Sequence, residues 1–101
     1  MSRVTTHVLD AECGRPAAGM PVRLERLDGG RVADLVTDAD GRAEVRDVGP
    51  GDLRLVFDTR SWRGPRFHPE VAVAFSVTDP AAHTHVPLLL SPFAYTTYRG
   101  S

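Results

Sequence analysis

The chain has 101 residues, enough for one compact core and too few for two, so a single domain spanning 1–101 is expected. Hydrophobic residues make up 42% and charged residues 25%, values of an ordinary globular chain that exclude disorder and collagen-like structure. Twelve basic residues, all arginine, face 13 acidic ones for a formal charge of −1, without the basic footprint that a nucleic-acid partner requires.

The elements follow in chain order, each marked by apolar and polar residues alternating with a period of two. Val4 to Leu9 begins three residues after Met1, which leaves no room for a secretion signal, so a cytoplasmic location is expected. Val22 and Leu24 alternate with Arg23 and Glu25, and the run then meets Asp28-Gly29-Gly30, residues suited to a tight hairpin turn. The returning strand covers about Arg31 to Thr37, and Asp38-Ala39-Asp40-Gly41 supplies a second turn before Arg42 to Asp47. Gly49-Pro50-Gly51 leads into Leu53, Leu55 and Phe57. Thr59 to Gly64 has room for one short helical turn at most, since Gly64-Pro65 stops it.

The longest regular pattern puts Val71, Val73, Phe75 and Val77 on one face of a strand and Ala72, Ala74, Ser76 and Thr78 on the other. That second face is small and uncharged, which suits close approach by another sheet or subunit. His83 to Leu90 and Tyr95 to Arg99 complete seven or eight strands, the count and spacing of an all-β sandwich of two sheets. The longest apolar stretch, Val86 to Leu90, is far short of the ~20 residues that span a bilayer, so no membrane association is expected.

Four histidines and one arginine are the candidates for chemistry. His83 and His85, two apart, share one face of a strand, a spacing that fits a proton-transfer site or part of a metal site. A zinc site would need a third ligand, which His7 could supply only if the fold brought it near. Alone, His7 reads as a hydrogen-bonded strand histidine more readily than as a functional one. Arg42 follows the Asp40-Gly41 turn, which would hold its guanidinium at a fixed point, able to grip a planar anionic heterocycle through two hydrogen bonds, although alone it reads more readily as a solvated turn arginine. His68, before Pro69, reads as a surface loop residue. Arg60, Arg63 and Arg66 flank Trp62, a basic and aromatic cluster that reads as a solvated loop more than a platform for stacked bases. The single cysteine, Cys13, permits no intrachain disulfide and no CxxC pair, and nothing near it in sequence would activate its thiol.

Four motifs occur together and in order: Thr6-His7-Val8-Leu9-Asp10, Asp40-Gly41-Arg42, His83-Thr84-His85-Val86-Pro87-Leu88-Leu89-Leu90-Ser91-Pro92 and Tyr98-Arg99-Gly100-Ser101. The combination resembles the transthyretin-like 5-hydroxyisourate hydrolases over nearly the whole chain, and the terminal tetrapeptide resembles the signature that separates them from the hormone-carrying transthyretins. The resemblance implies a transthyretin-like sandwich assembled as a homotetramer, a dimer of dimers with sites in the cleft between dimers. It implies His7, Arg42, His85 and Ser101 as catalytic residues and His7, Arg42 and Tyr98 as substrate contacts, with His83 supporting and neither metal nor cofactor needed. The activity implied is hydrolysis of 5-hydroxyisourate to 2-oxo-4-hydroxy-4-carboxy-5-ureidoimidazoline in urate degradation, by water that a histidine activates. Which histidine does so is open. The segment Arg60-Ser61-Trp62-Arg63-Gly64-Pro65 is several residues shorter than the family's short helix region. Two other readings compete: a non-catalytic binder of aromatic ligands in the same channel, and an accessory sandwich.

Overall fold

The computed structural model describes residues 2–101; Met1, where the expected domain begins, lies outside the described residues. Strand β1 (Ser2–Asp10) alternates strictly, with Ser2, Val4, Thr6, Val8 and Asp10 buried and Arg3, Thr5, His7 and Leu9 on the outward face. This is the pleat expressed in side chains. A two-residue strand, β2 (Arg15–Pro16), pairs with the end of β1. β3 (Pro21–Arg26) and β4 (Arg31–Val36) form the expected hairpin, where Gly29 takes a φ of +107° and the Gly30 N–H donates to the Asp28 carboxylate at 3.0 Å. β5 (Arg42–Val48), β6 (Gly51–Phe57) and β7 (Val71–Val77) follow, then β8 (His83–His85), β9 (Leu88–Leu90) and β10 (Tyr95–Thr97).

The ten strands exceed the expected seven or eight because β2 is added and the His83–Leu90 run divides. It divides at Val86-Pro87, because proline has no N–H to donate to a ladder. Its halves pair in parallel with different stretches of β1: His83–His85 beside Arg3–Thr5, and Leu88–Leu90 beside Val8–Asp10.

Two sheets result, one of six strands built around β1 and one of four in the order β4-β3-β6-β7. Val4, Val8, Leu88 and Leu90 of the first meet Val22, Leu24, Leu55, Phe57 and Val71 of the second in one core. Burying each such side chain is worth about 1.5–3 kcal/mol against leaving it in water, so the stripes of β1 and β7 decide which faces meet. In β7 the larger residues face inward and Ala72, Ala74 and Ser76 face out, with β6 as its one strand partner among the described residues.

The helical turn is realised as α1 (Thr59–Arg63), five residues long. The Asp58 carboxylate accepts the Ser61 N–H at 3.1 Å and the Ser61 hydroxyl at 2.7 Å, capping the orphan donors of the first turn. Trp62 packs on the core and donates its indole N–H to the Ala18 carbonyl at 2.9 Å. The guanidinium of Arg63 stacks 4.2 Å from the Trp62 ring centre and reaches the buried Asp10 carboxylate at 3.0 Å. Arg66 lies 5.5 Å from the same ring. The cluster therefore fastens α1 to β1 through Arg63 and Asp10. Among the described residues, no helix is long and apolar enough to cross a membrane.

Candidate functional site

The outward face of β1 sets the register of the site. On one edge, antiparallel β5 places Arg42 opposite His7, Glu44 opposite Thr5 and Arg46 opposite Arg3. On the other edge, parallel β8 places His83 beside Arg3 and His85 beside Thr5. Three strands thus bring residues from both ends of the chain onto one polar surface, since residues two apart on a strand share a face.

Arg42 is held by its turn. The Asp38 carboxylate accepts the N–H groups of Asp40 and Arg42, each at 2.9 Å, and Gly41 donates to the Asp38 carbonyl at 2.9 Å. Gly41 has a φ of +76°, and a Cβ there would lie 2.4 Å from the Val8 carbonyl oxygen. Only glycine lets the turn press against β1 this closely, one residue after His7, and the Val8 N–H closes the contact by donating to the Gly41 carbonyl at 2.8 Å. Among the described residues the Arg42 guanidinium forms no ion pair, whereas Glu44 is engaged by Arg46 at 2.7 Å and Arg3 at 3.7 Å. The bond from Arg46 is the main reason the Glu44 carboxyl is held below its usual range.

The two histidines of β8 are tied to β1 through one hydroxyl. Thr5 Oγ1 lies 2.7 Å from His83 Nε2 and 2.8 Å from His85 Nδ1, and His83 Nδ1 lies 3.3 Å from the Arg3 guanidinium. The chain end folds over His85: the Gly100 N–H donates to the His85 carbonyl at 2.8 Å, and a Cβ on Gly100 would lie 2.3 Å from His85 Cδ2. Partial burial pushes the His85 pKa below its ordinary value, and the nearby His83 and His7 push it further in the same direction.

A cavity of about 520 Å3 opens on this surface, lined by Arg3, Thr5, Arg42, Glu44, His85 and Ser101 among others. His7 adjoins it as the cross-strand neighbour of Arg42. Of the residues expected from the sequence, His7, Arg42, His85 and Ser101 are therefore gathered on one surface. Tyr98 is not; 62% exposed, it lines a second cavity of about 430 Å3 beside β7, where His85 forms part of the other wall. His68 lies in a loop, edge-on to the rings of Phe67 and Tyr95 at 4.8 and 5.1 Å, away from both histidines of β8. Cys13 donates its S–H to Asp10 at 3.2 Å. Among the described residues, no three His, Cys, Asp or Glu side chains are grouped so as to hold a metal ion.

Three members of this surface, Arg3, Thr5 and Glu44, are absent from the residues that sequence motifs single out. Arg3 and Thr5 stand four and two residues before His7, which is signal enough to put them on its face. The parallel pairing of β8 with β1, which brings the histidines to Thr5, has no such local signal.

A family model described as "HIUase/Transthyretin family" matches residues 4–100. A 5-hydroxyisourate hydrolase of Caulobacter vibrioides is 45% identical, with all of both chains covered. The 5-hydroxyisourate hydrolase of Klebsiella pneumoniae superposes with a TM-score of 0.89 at 33% identity over the full length of both chains. A sea bream transthyretin in complex with thyroxine superposes with a TM-score of 0.79 at 32% identity, over 96% of this chain and 93% of its own. The two-sheet sandwich, its register and these full-length matches agree that the chain belongs to the HIUase/Transthyretin family.

Proposed function

We propose that this protein is an enzyme that hydrolyses 5-hydroxyisourate to 2-oxo-4-hydroxy-4-carboxy-5-ureidoimidazoline, a step of urate degradation. The observation that carries the reading is the convergence of His7, Arg42, His85 and Ser101 on one face of the β1 sheet. An apolar carrier site would have no use for this set, because its ligand needs apolar walls and few polar anchors. Here the lining is charged and includes two arginines and a glutamate.

In the reaction, water adds across an amide-like bond of the ring. One histidine takes a proton from water as its oxygen attacks the ring carbonyl, a general-base contribution of ~10²–10⁴-fold. The C–N bond then breaks and its nitrogen is protonated. Arg42, without an ion pair of its own, holds the anionic heterocycle and steadies the developing oxyanion. Ser101 positions the ring and water from the cavity wall. No cofactor or metal is needed for these steps.

The chain acts as one domain, in the cytoplasm, and as a homotetramer. β7 supports the assembly, because an uncharged seven-residue edge strand with a small outer face is a surface that natural sheets cover. A dimer of dimers would bring Tyr98, exposed here, to a cleft between dimers where it would contact substrate across the subunit boundary. Ala74→Arg on that face is expected to reduce the particle size in analytical ultracentrifugation; an unchanged tetramer would remove β7 from the assembly.

The decisive measurement uses 5-hydroxyisourate made freshly from urate with urate oxidase and follows its ultraviolet decay with and without the protein. Decay is expected to accelerate, and the spontaneous rate alone would refute the activity. Removal of Ser101 is expected to lower the rate without unfolding the chain.

A further inference from the structure

The geometry around Thr5 assigns a proton direction to the site, and on that basis, and on the hydrolytic reading above, we propose that Arg3, His83 and Thr5 form a positioning relay. The relay holds His85 as its Nε2–H tautomer, which makes His85 a hydrogen-bond donor to the substrate and leaves His7 as the histidine that takes the proton from water.

The argument is one of hydrogen counting. A guanidinium can only donate, so His83 Nδ1, 3.3 Å from Arg3, is held as an acceptor. The remaining hydrogen of neutral His83 is therefore on Nε2, which lies 2.7 Å from Thr5 Oγ1 and donates to it. Turning the His83 ring over would put carbon atoms at both contacts and lose both bonds, so the two partners together fix the ring as well as its tautomer. A threonine hydroxyl has a single hydrogen. Its oxygen accepts from His83, and among the described residues the only other partner of the hydroxyl is His85 Nδ1 at 2.8 Å, so Thr5 gives that hydrogen to His85. Neutral His85 then keeps its own hydrogen on Nε2.

A neutral imidazole in this state has no lone pair free at Nε2 to receive a proton from water. Charging His85 would put an Nδ1–H where the ring now accepts from Thr5, so the hydroxyl would have to turn its hydrogen away and accept with its second lone pair, giving up the bond it donates. The net depression of its pKa, chiefly by burial and by the nearby His83 and His7, acts in the same sense, against a smaller raising contact from the Thr5 backbone. Arg3 is itself held in place by Glu44, 3.7 Å away and bound to Arg46 at 2.7 Å, so the relay is anchored at the end remote from His85. Arg3, Thr5 and His83 are positioning residues: they set which nitrogen of His85 carries hydrogen. Fixing the tautomer of a catalytic histidine through a neighbouring group is worth several orders of magnitude in known hydrolases, although the neighbour there is a carboxylate and the effect of a neutral hydroxyl is smaller.

The test reads the tautomer directly. Long-range 15N–1H correlation spectra distinguish the two neutral forms of histidine, and His85→Gln identifies the resonances of His85 by their loss. The wild-type protein is expected to give the Nε2–H pattern at His85; an Nδ1–H pattern would overturn the relay. Thr5→Val removes the hydroxyl and keeps the β-branched shape. It is expected to mix the tautomers and lower kcat by about 10–100-fold with little change in KM, and Thr5→Ser is expected to restore both readouts. An unchanged tautomer and kcat in Thr5→Val would likewise reject the proposal. Should that variant not fold, Arg3→Met serves in its place, since it frees His83 Nδ1 and is expected to mix the His85 tautomers without touching the hydroxyl. If the wild-type protein failed to hydrolyse 5-hydroxyisourate, the functional reading would fall while the spectrum still decided the relay.

Discussion

β1 and β7 are built on the same plan and put it to different uses. Both alternate, and both send one row of side chains into the core between the sheets. The outer row of β1 is Arg3, Thr5, His7 and Leu9; that of β7 is Ala72, Ala74 and Ser76. The inner rows, Val4 and Val8 on one strand and Val71 and Val77 on the other, are interchangeable in chemistry and specify only that the sheets meet. What distinguishes the strands lies on the outer faces, where one carries hydrogen-bonding groups in register with β5 and β8 and the other has been kept small. Inner rows make a fold, and outer rows make a site or a contact surface.

The sharpest way to break that comparison is to change an outer residue and look for an effect on rate alone. His7→Ala is expected to lower the hydrolysis rate by ~10²–10⁴-fold, the range for loss of a general base. The same variant is expected to shift unfolding free energy in urea by less than ~0.5 kcal/mol, since His7 is outside the core. A wild-type rate would take His7 out of the chemistry, and a large loss of stability would blur the distinction between rows. The inner counterpart is Leu55→Ala, which removes a fully buried side chain and is expected to cost ~2–5 kcal/mol in denaturant unfolding. Any fall in rate should then follow the folded fraction.

Gly41→Ala probes the place where fold and site meet. The positive φ and the Val8 carbonyl 2.4 Å from a Cβ oppose the substitution, for an expected cost of ~1–3 kcal/mol. The turn should also lift from β1 and carry Arg42 away from His7. The expected signature is a rise in KM together with the stability loss; an unchanged KM would show that Arg42 does not depend on this turn.

The sequence made one layer of this organisation readable and hid another. Period-two patterns located both long strands, and the turn residues at Asp28-Gly29-Gly30 and Asp38-Ala39-Asp40-Gly41 marked where the chain reverses, because such rules act over a few residues. Gly64-Pro65 likewise marked the end of α1, whereas the Asp58 cap came only with the structure. Two things escaped. Pro87 split the His83–Leu90 run, where it cannot donate to the ladder, into two strands. The pairing of His83–His85 with Arg3–Thr5 joins segments about 80 residues apart, and no local periodicity encodes a parallel partner. His7, Arg42 and His85 were legible as motif residues, whereas the role of Thr5 depends on that pairing and is visible only once the strands are placed. Tyr98 also differs from its expected company, since within one chain it faces the cavity beside β7.

The smallest effect concerns pH and bears on His85, the one residue that both cavities share. Its folded pKa lies below the ordinary 6.5, chiefly through burial, so the neutral form is the one the fold favours. As pH falls through 6.5 the unfolded chain takes up a proton at this site before the folded chain does. The unfolded state then binds more protons, and stability declines with falling pH. The contribution is therefore fully present above 6.5 and is lost as pH drops through the folded pKa. Glu25 and Glu44, whose pKa values are lowered from 4.5 chiefly by bonds to arginines, begin to cost stability only as pH approaches that value, so the upper part of the decline belongs to the histidine. Urea unfolding is expected to show a shallow decline from pH 7.5 toward pH 5, flattened in His85→Gln, and an NMR titration of His85 is expected to have its midpoint below 6.5. A midpoint at or above 6.5 would mean that the face of β1 leaves His85 solvated, in which case the chain end seated on Gly100 does not shield the site as its contact with the ring implies.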